Sequence, residues 1–565
     1  MKKFIKNNCL IIILAVAFSA RIIGIFYAYP LVLGSDETPA LLASLKMIGT
    51  HSLKITASSL YYPPVLAYIY LPFFIIFLLI GKLVGIFSNT NYLKELVLLN
   101  IGVFLPLARL ISVFFGTASV YLIFKISQKI FNNLRLSIIA SLLLAFSFFH
   151  VGVSQFANTW PTQTFFILLV LFWSVNLLKK NNARSKDYFW GGIFIGLAFG
   201  INVVGIISYY WLVVAHFLKN KNKSFFQTFI KNYNFWLANL VIVLMILINY
   251  YLNPFGLNNY FNRLTDTASP AVFGGNAVYK IFHFSTLQTL FFYLKNTFIL
   301  EPWLFILTII SSFFLWKKNK TAFFLIIIWI IIYFLLLAPL TGPIHRYALP
   351  VIPLLTIAVS YLINELFKKK IFAYSLLIIM TAYSLIFIIL FDLRMLKNDT
   401  RLLARNWVIK NVPSDSIIKN NNLNESLALI ESRENIEFIE KYFPEMMSTK
   451  RKYLLNLNNE DYPRPNYFLI MYDYDKRIDL NLKSEYIILA SFDKSQLEKM
   501  SQDFFSNYYK INYFYPVNNN YSFWPDNRDL EIPFNDREFF PWSLFRQFPD
   551  YGPYIEIYKI KANLI

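Results

Sequence analysis

Long runs of apolar residues, broken by short polar stretches rich in lysine and arginine, dominate the first 392 positions of this 565-residue chain. Runs of about 20 apolar residues match the roughly 30 Å of a bilayer's hydrocarbon, so each is read as a crossing. The pattern predicts spans near 8–28, 106–127, 136–153, 163–179, a tight hairpin in 188–218, and further spans near 233–252, 297–316, 322–339, 347–366 and 371–391. The basic clusters at 125–135, 179–186, 219–223, 317–320 and 368–370 then all fall on one side, the cytoplasmic one. Lys2, Lys3 and Lys6 join them, which puts the loop after the first span outside.

Residues 65–87 are apolar enough to span, yet one more crossing would reverse every later loop. This segment is therefore expected along the outer interface, or matched by an extra crossing within 96–127. The hairpin at 188–218 is short for two spans, and its glycines (Gly191, Gly192, Gly196, Gly200, Gly205) predict close helix packing or broken helices. Apolar residues continue from CLIIILAVAFSA past Arg21 into IIGIFYAY, which favours an uncleaved first helix over a signal peptide.

From about residue 393 the texture turns polar and mixed in charge. RLLARNWVIKNV reads as a helix, and YFLIMYDY and EYIILASF read as strands. The expected architecture is an α-helical polytopic membrane protein, a transmembrane domain over 1–392 with about 11–13 helices, followed by an extracytoplasmic mixed α/β domain over 393–565. The aromatic, Asn- and Pro-rich tail from 511 to 556 is read as core packing ahead of carbohydrate contact.

Composition supports this division, with 57% hydrophobic and 19% aromatic residues and a mean hydropathy of +0.48. Of the net charge of +21, residues 393–565 contribute −1, so the excess belongs to the membrane half and needs no nucleic acid to explain it. The single cysteine, Cys9, excludes a disulfide framework and a cysteine zinc site. His51, His150, His216 and His283 lack a HExxH-like spacing, and neither a Walker loop nor GxGxxG occurs.

Residues 1–392 hold only eight carboxylates: Asp36, Glu37, Glu95, Asp187, Asp266, Glu301, Glu365 and Asp392. Acids beside a bilayer are costly and tend to mark function, so the adjacent Asp36 and Glu37 lead the candidates, against the plainer reading that they cap an interfacial helix. His345, Arg346 and Tyr347 start a span on the same face, where a guanidinium suits phosphate; Arg109 is a second cationic candidate, against simple snorkelling at the interface.

Several segments, in order, resemble the membrane part of GT-C glycosyltransferases, above all the bacterial branch related to protein O-mannosyltransferases and the lipid A aminoarabinose transferase. They are GSDETPALLAS, YYPPVLAYIYLPFF, ARLISVFFGTASVYLIFKIS, GGIFIGLAFGINVVG, GPIHRYALPVIPLL and the linker NDTRLLARNWVIKNVPSDSII. The resemblance implies transfer of a sugar from a polyprenyl phosphate to an acceptor hydroxyl at the outer face of a prokaryotic cytoplasmic membrane, with inversion. Asp36 matches the family's Asp and would be the base, while Glu37 would orient it or assist a divalent metal, Mg²⁺ or Mn²⁺. Arg346, His345, Arg109 and Tyr347 would hold the donor phosphate. Tyr62, Pro63 and Pro64 would border the site, although relatives carry a charged residue or His before the prolines, and the prolines also have a sufficient structural role in opening a helix.

A further departure lies in SQFANTWPTQTFF, where relatives show an acid near the position of Trp160; Gln155 and Asn158 cannot act as bases. Asp266 and Glu301 are the outward acids that could substitute, with a loop or helix-end role as the plainer reading. The acceptor stays open among lipid, polysaccharide and protein. Two other classes remain: a lipid or glycan transporter or flippase, and an inactive GT-C relative serving as a scaffold.

Overall fold

The structure, a computed structural model, describes residues 2–33, 36–55, 60, 62–86, 90–222, 224, 226–258, 284–340, 344–367, 369–420, 427–471, 484–491, 494–502, 506–515 and 552–561. Eight helices in it are long and apolar enough to cross a membrane: Asn8–Phe26, Val65–Leu83, Ile101–Phe131, Thr159–Lys179, Tyr233–Leu252, Lys320–Pro339, His345–Leu366 and Lys370–Met395. Two bent pairs, Leu134–Ala145 with Phe148–Ser154 (56°) and Thr286–Leu300 with Pro302–Lys318 (111°), raise the number to ten.

Two stretches differ in detail from the sequence pattern. The segment expected at the interface forms the 19-residue helix Val65–Leu83, which has the length and apolarity of a crossing. The residues offered as its compensation form a ten-residue helix, Thr90–Leu99, and one long helix beyond it rather than two spans. The hairpin folds as Ser185–Ile201, a turn at Val203–Ser208 and Tyr209–Lys219, pieces shorter than a full crossing.

The glycines of that hairpin do pack closely. A Cβ on Gly192 would stand 2.8 Å from the Ala238 carbonyl, and one on Gly196 only 2.4 Å from the Met245 Cβ. One on Gly200 would stand 2.6 Å from Asn249. These residues recur every fourth position and so line one face of the helix, against which Tyr233–Leu252 lies.

Side chains punctuate the helices where the backbone needs them. Asn132 adopts the left-handed conformation that ends one helix, and the Asn133 carboxamide accepts from the Leu136 N–H (3.2 Å) to start the next. Ser147 and Asn158 cap the two helices that follow. At the centre stands His345–Leu366, 94% buried over its apolar window, whereas Val65–Leu83 and Lys370–Met395 are 28% buried and present most of their apolar surface outward. The larger core surrounds the central helix, and a smaller one joins Thr38–Thr50, Val65–Leu83 and the start of Leu105–Phe131.

Among the described residues five strands occur, beyond residue 416, and form one sheet of order β2-β1-β3-β5-β4. Strand β1 (Ile417–Asn420) is parallel to β2 (Phe468–Met471) and β3 (Tyr486–Ser491), while β5 (Tyr554–Ile560) runs antiparallel to β3 and β4 (Tyr508–Phe514). The parallel pair β1 and β2 needs a crossover, supplied by Arg433–Tyr442 and Thr449–Leu455. Strand β3 is buried at every position, as expected for the middle of a sheet, and helix Thr400–Asn411 covers it through Ala404 and Val408. On β5, buried Glu556 accepts from Tyr515 and Tyr558. Burial first, and these bonds second, hold both phenols above their ordinary pKa. Most of the aromatic tail, with any carbohydrate contact it makes, lies outside the described residues.

Close approach at Gly196 gives a direct expectation. Gly196→Val should destabilise the membrane domain by about 1–3 kcal/mol, because the helices must separate to admit the side chain. Gly49→Ala, where nothing lies within 4 Å, should be neutral or stabilising by up to about 1 kcal/mol. Unfolding of the detergent-solubilised protein measures both.

Candidate active site

The first helix ends in a turn at Ile23–Phe26, and the chain reaches Asp36 and Glu37 just before helix Thr38–Thr50, which opens with Pro39. Glu37 occupies the N-cap position but makes no capping hydrogen bond. Its side chain turns inward instead. Arg109 Nε donates to Glu37 Oε1 (2.8 Å) and Arg109 Nη2 to Oε2 (2.7 Å), a two-pronged ion pair between groups only 1% and 3% exposed. The Ala157 N–H adds a third bond to Oε1 (2.7 Å). Arg109 Nη1 donates to the carbonyls of Ile25 (3.1 Å) and Tyr27 (2.7 Å).

Asp36 points the other way and meets Arg346, whose Nη2 donates to Asp36 Oδ2. This pair keeps access to solvent, with side chains 32% and 13% exposed. Arg346 lies in the turn His345–Val351 that leads into the central helix, so a rigid element fixes it. The opposite end of that helix carries Glu365, paired with Lys318, about 30 Å away at 1.5 Å per residue. Tyr347 is buried with its ring on Trp160 (centroids 4.5 Å apart), within electrostatic range of Asp36, Arg346 and Tyr62. Asp36, Arg346, Tyr347 and Tyr62 thus come together from three separate parts of the sequence.

Pro63 and Pro64 are buried behind Tyr62, and Pro64 opens helix Val65–Leu83. Asn253 fixes the residues just before them by donating to the carbonyls of Leu60 (3.2 Å) and Tyr62 (2.9 Å). Trp160 packs against Tyr347 and so borders the same place.

Three assignments change with these contacts. Arg109 was expected at the donor phosphate, but four of its five N–H donors are spent on Glu37 and two carbonyls. Glu37 was expected to orient the base or to assist a divalent metal; both its oxygens are engaged in the interior, by Arg109 and the Ala157 N–H, which leaves the orienting role. His345 was expected on the phosphate, yet it is fully buried with its ring against Phe149 (5.4 Å) and so belongs to the packing beneath the site. The same donor set bears on the divalent metal: no three His, Cys, Asp or Glu side chains come together among the described residues, and both Glu37 oxygens are already bonded to Arg109. These residues do not fit a metal at Asp36.

Of the acids offered as substitutes, Asp266 lies outside the described residues. Glu301 has a helix-end role: it accepts from the Ser147 hydroxyl (2.6 Å) and the Phe149 N–H (3.1 Å) at the start of helix Phe148–Ser154. The sequence reading missed how much converges on that seven-residue helix and its flanks. Asp392 accepts from Gln155 (2.6 Å), and Arg21 donates to the carbonyls of Leu144 (3.1 Å) and Ala145 (3.2 Å) while lying 3.1 Å from His150 Nδ1. Arg21 inside an apolar run was a signal that could have been followed, because an interior cation there needs acceptors.

No known family profile matches the chain, and neither does any curated protein. Among solved structures it is similar to ArnT from Cupriavidus metallidurans bound to undecaprenyl phosphate, at 12% identity, over 90% of this chain and 96% of that one, with a TM-score of 0.46. It is also similar to the archaeal oligosaccharyltransferase AglB from Archaeoglobus fulgidus in complex with an inhibitory peptide and a dolichol-phosphate (13% identity, 86% and 70% covered, TM-score 0.44). A third likeness is to the arabinofuranosyltransferase AftD from Mycobacteria (12% identity, 97% and 40% covered, TM-score 0.37).

The two ion pairs should respond differently to loss of one partner. Arg109→Ala leaves Glu37 charged in the interior and should cost about 3–5 kcal/mol, part of it recovered in Arg109→Met/Glu37→Leu. Arg346→Ala breaks a partly exposed pair and should cost no more than about 1 kcal/mol. Thermal unfolding of the purified variants separates the two, and equal losses would refute the distinction.

Proposed function

We propose that this protein is a membrane glycosyltransferase of the GT-C type. In this reading it moves a sugar from a polyprenyl phosphate to an acceptor hydroxyl at the outer face of the cytoplasmic membrane. Residues 1–392 form the catalytic domain and 393–565 an extracytoplasmic one. The observation that carries the reading is the Asp36–Arg346 pair: a carboxylate and a guanidinium, partly open to solvent, at one end of the buried central helix. The order of the sequence segments that resemble GT-C enzymes supports it, since two of those segments carry Asp36 and Arg346.

The chemistry needs a base for the acceptor and positive charge for the departing phosphate. A lipid phosphate arriving at Arg346 competes with Asp36 for the guanidinium, whose planar fork suits two phosphate oxygens. Asp36, released, takes the acceptor's hydroxyl proton. The acceptor oxygen bonds to the anomeric carbon from the side opposite the phosphate, the bond from that carbon to the phosphate oxygen breaks, and the polyprenyl phosphate leaves with the electron pair. One displacement inverts the anomeric centre. Tyr347 and Trp160 supply a buried aromatic wall behind the pair, and Tyr62 stands beside it. Glu37 holds Asp36 in place rather than acting on substrate.

The test is transfer from a panel of radiolabelled polyprenyl-phosphate sugars by the protein in liposomes. Asp36→Asn should lower kcat by about 10²–10⁴-fold, and Arg346→Ala by about 10²–10³-fold, with Arg346→Lys between it and wild type. A folded Asp36→Asn protein that transfers sugar at the wild-type rate would overturn Asp36 as the base.

A further inference from the structure

Glu37, the neighbour of Asp36, is held by a chain of buried contacts that begins in the part of the molecule carrying the sheet. Asp399 caps helix Thr400–Asn411, accepting from the Arg401 N–H (2.8 Å) and from its guanidinium (2.8 and 2.9 Å). Gly552, with φ of +109°, lets the chain before β5 press against this cap, where a Cβ would stand 2.7 Å from Asp399 Oδ1; Thr400 then donates to the Pro553 carbonyl (2.7 Å). Across 372 residues of sequence, the Tyr27 hydroxyl donates to Asp399 Oδ2 (2.6 Å). The Tyr27 carbonyl accepts from Arg109 (2.7 Å), and Arg109 grips Glu37, the neighbour of Asp36.

Arg109 thereby clamps both ends of the segment that runs from Tyr27 to Glu37. Tyr27, Arg109, Glu37 and Asp399 are each 5% exposed or less, so every bond in the series works at low dielectric with little water to replace it. Burial alone would be served by phenylalanine at position 27. What the hydroxyl adds is a tie between the cap of Thr400–Asn411, which covers the sheet, and the loop that presents Asp36.

We propose that Tyr27 and Asp399 are positioning residues for Asp36, acting through Arg109 and Glu37, so that the domain bearing the sheet sets the geometry of the membrane site. The inference rests on Asp36 being the base. An acceptor held by that domain bears on the same series of bonds that aims the carboxylate.

The experiment uses the full chain in lipid nanodiscs, as wild type, Tyr27→Phe, Asp399→Asn and the double variant. Two readouts are taken: amide hydrogen exchange over 27–40 and 400–411, and kcat and KM for sugar transfer. Each single change should speed exchange over 27–40 about tenfold and lower kcat about tenfold with KM within about twofold, and the double variant should be no worse than Asp399→Asn alone, which breaks the same Tyr27 bond along with bonds to Arg401. Tyr27→Phe removes only a hydroxyl and decides the matter if Asp399→Asn fails to fold. Faster exchange confined to 400–411, or losses that add in the double variant, would overturn the proposal. If wild type transfers no sugar, exchange over 27–40 still judges the link, and it is the assigned chemistry that falls.

Discussion

Two opposite charges cut off from water, Glu37 and Arg109, are tolerable in the interior because each satisfies the other through two parallel hydrogen bonds. The Ala157 N–H and the carbonyls of Ile25 and Tyr27 take up most of what remains. Burying either charge without the other would be strongly unfavourable. The cost of separating them fixes the register of three elements: the loop before helix Thr38–Thr50, helix Leu105–Phe131, and the segment between Ser154 and Thr159. The pair also sits where the two hydrophobic cores meet, with Ala108 and Ala157 in the smaller and Tyr27 in the larger. Packing alone gives little direction at such a seam, and directional bonds supply it.

The same logic extends along the short helix Phe148–Ser154. Glu301 holds its start, Asp392 binds Gln155 at its end, and Arg21 binds the carbonyls of Leu144 and Ala145 where Leu134–Ala145 stops. A break in a membrane helix exposes backbone groups that lipid cannot satisfy. Here charged side chains from distant helices meet that demand, and in doing so they fix the bend. Glu37, Glu301 and Asp392 are in this way committed to structure, whereas Asp36 keeps access to solvent.

Asp36 and Glu37 are neighbours with opposite surroundings. The turn into helix Thr38–Thr50 aims one carboxylate into the protein and the other toward a partly open space facing Arg346. Glu37 anchors the backbone beside Asp36, whose own carboxylate keeps access to solvent. Arg346 gains its own rigidity from the start of the central helix.

The sequence by itself determined most of the apolar helices, the concentration of positive charge in the membrane half, and a mixed α/β region after about residue 393, because burial in lipid and pleated packing impose periods that composition must obey. Helix Thr400–Asn411 and strands β2 and β3 stand where RLLARNWVIKNV, YFLIMYDY and EYIILASF indicated. It also singled out Asp36 and Arg346, since rare charges in an apolar background stand out. Partners are another matter. Whether Arg109 faced a ligand or Glu37, whether His345 met solvent or Phe149, and that Tyr27 would reach Asp399 were decided only by tertiary structure. A charge in a sequence announces that it needs a counterpart, but the counterpart is chosen by which helices pack together, and that choice is spread over hundreds of residues.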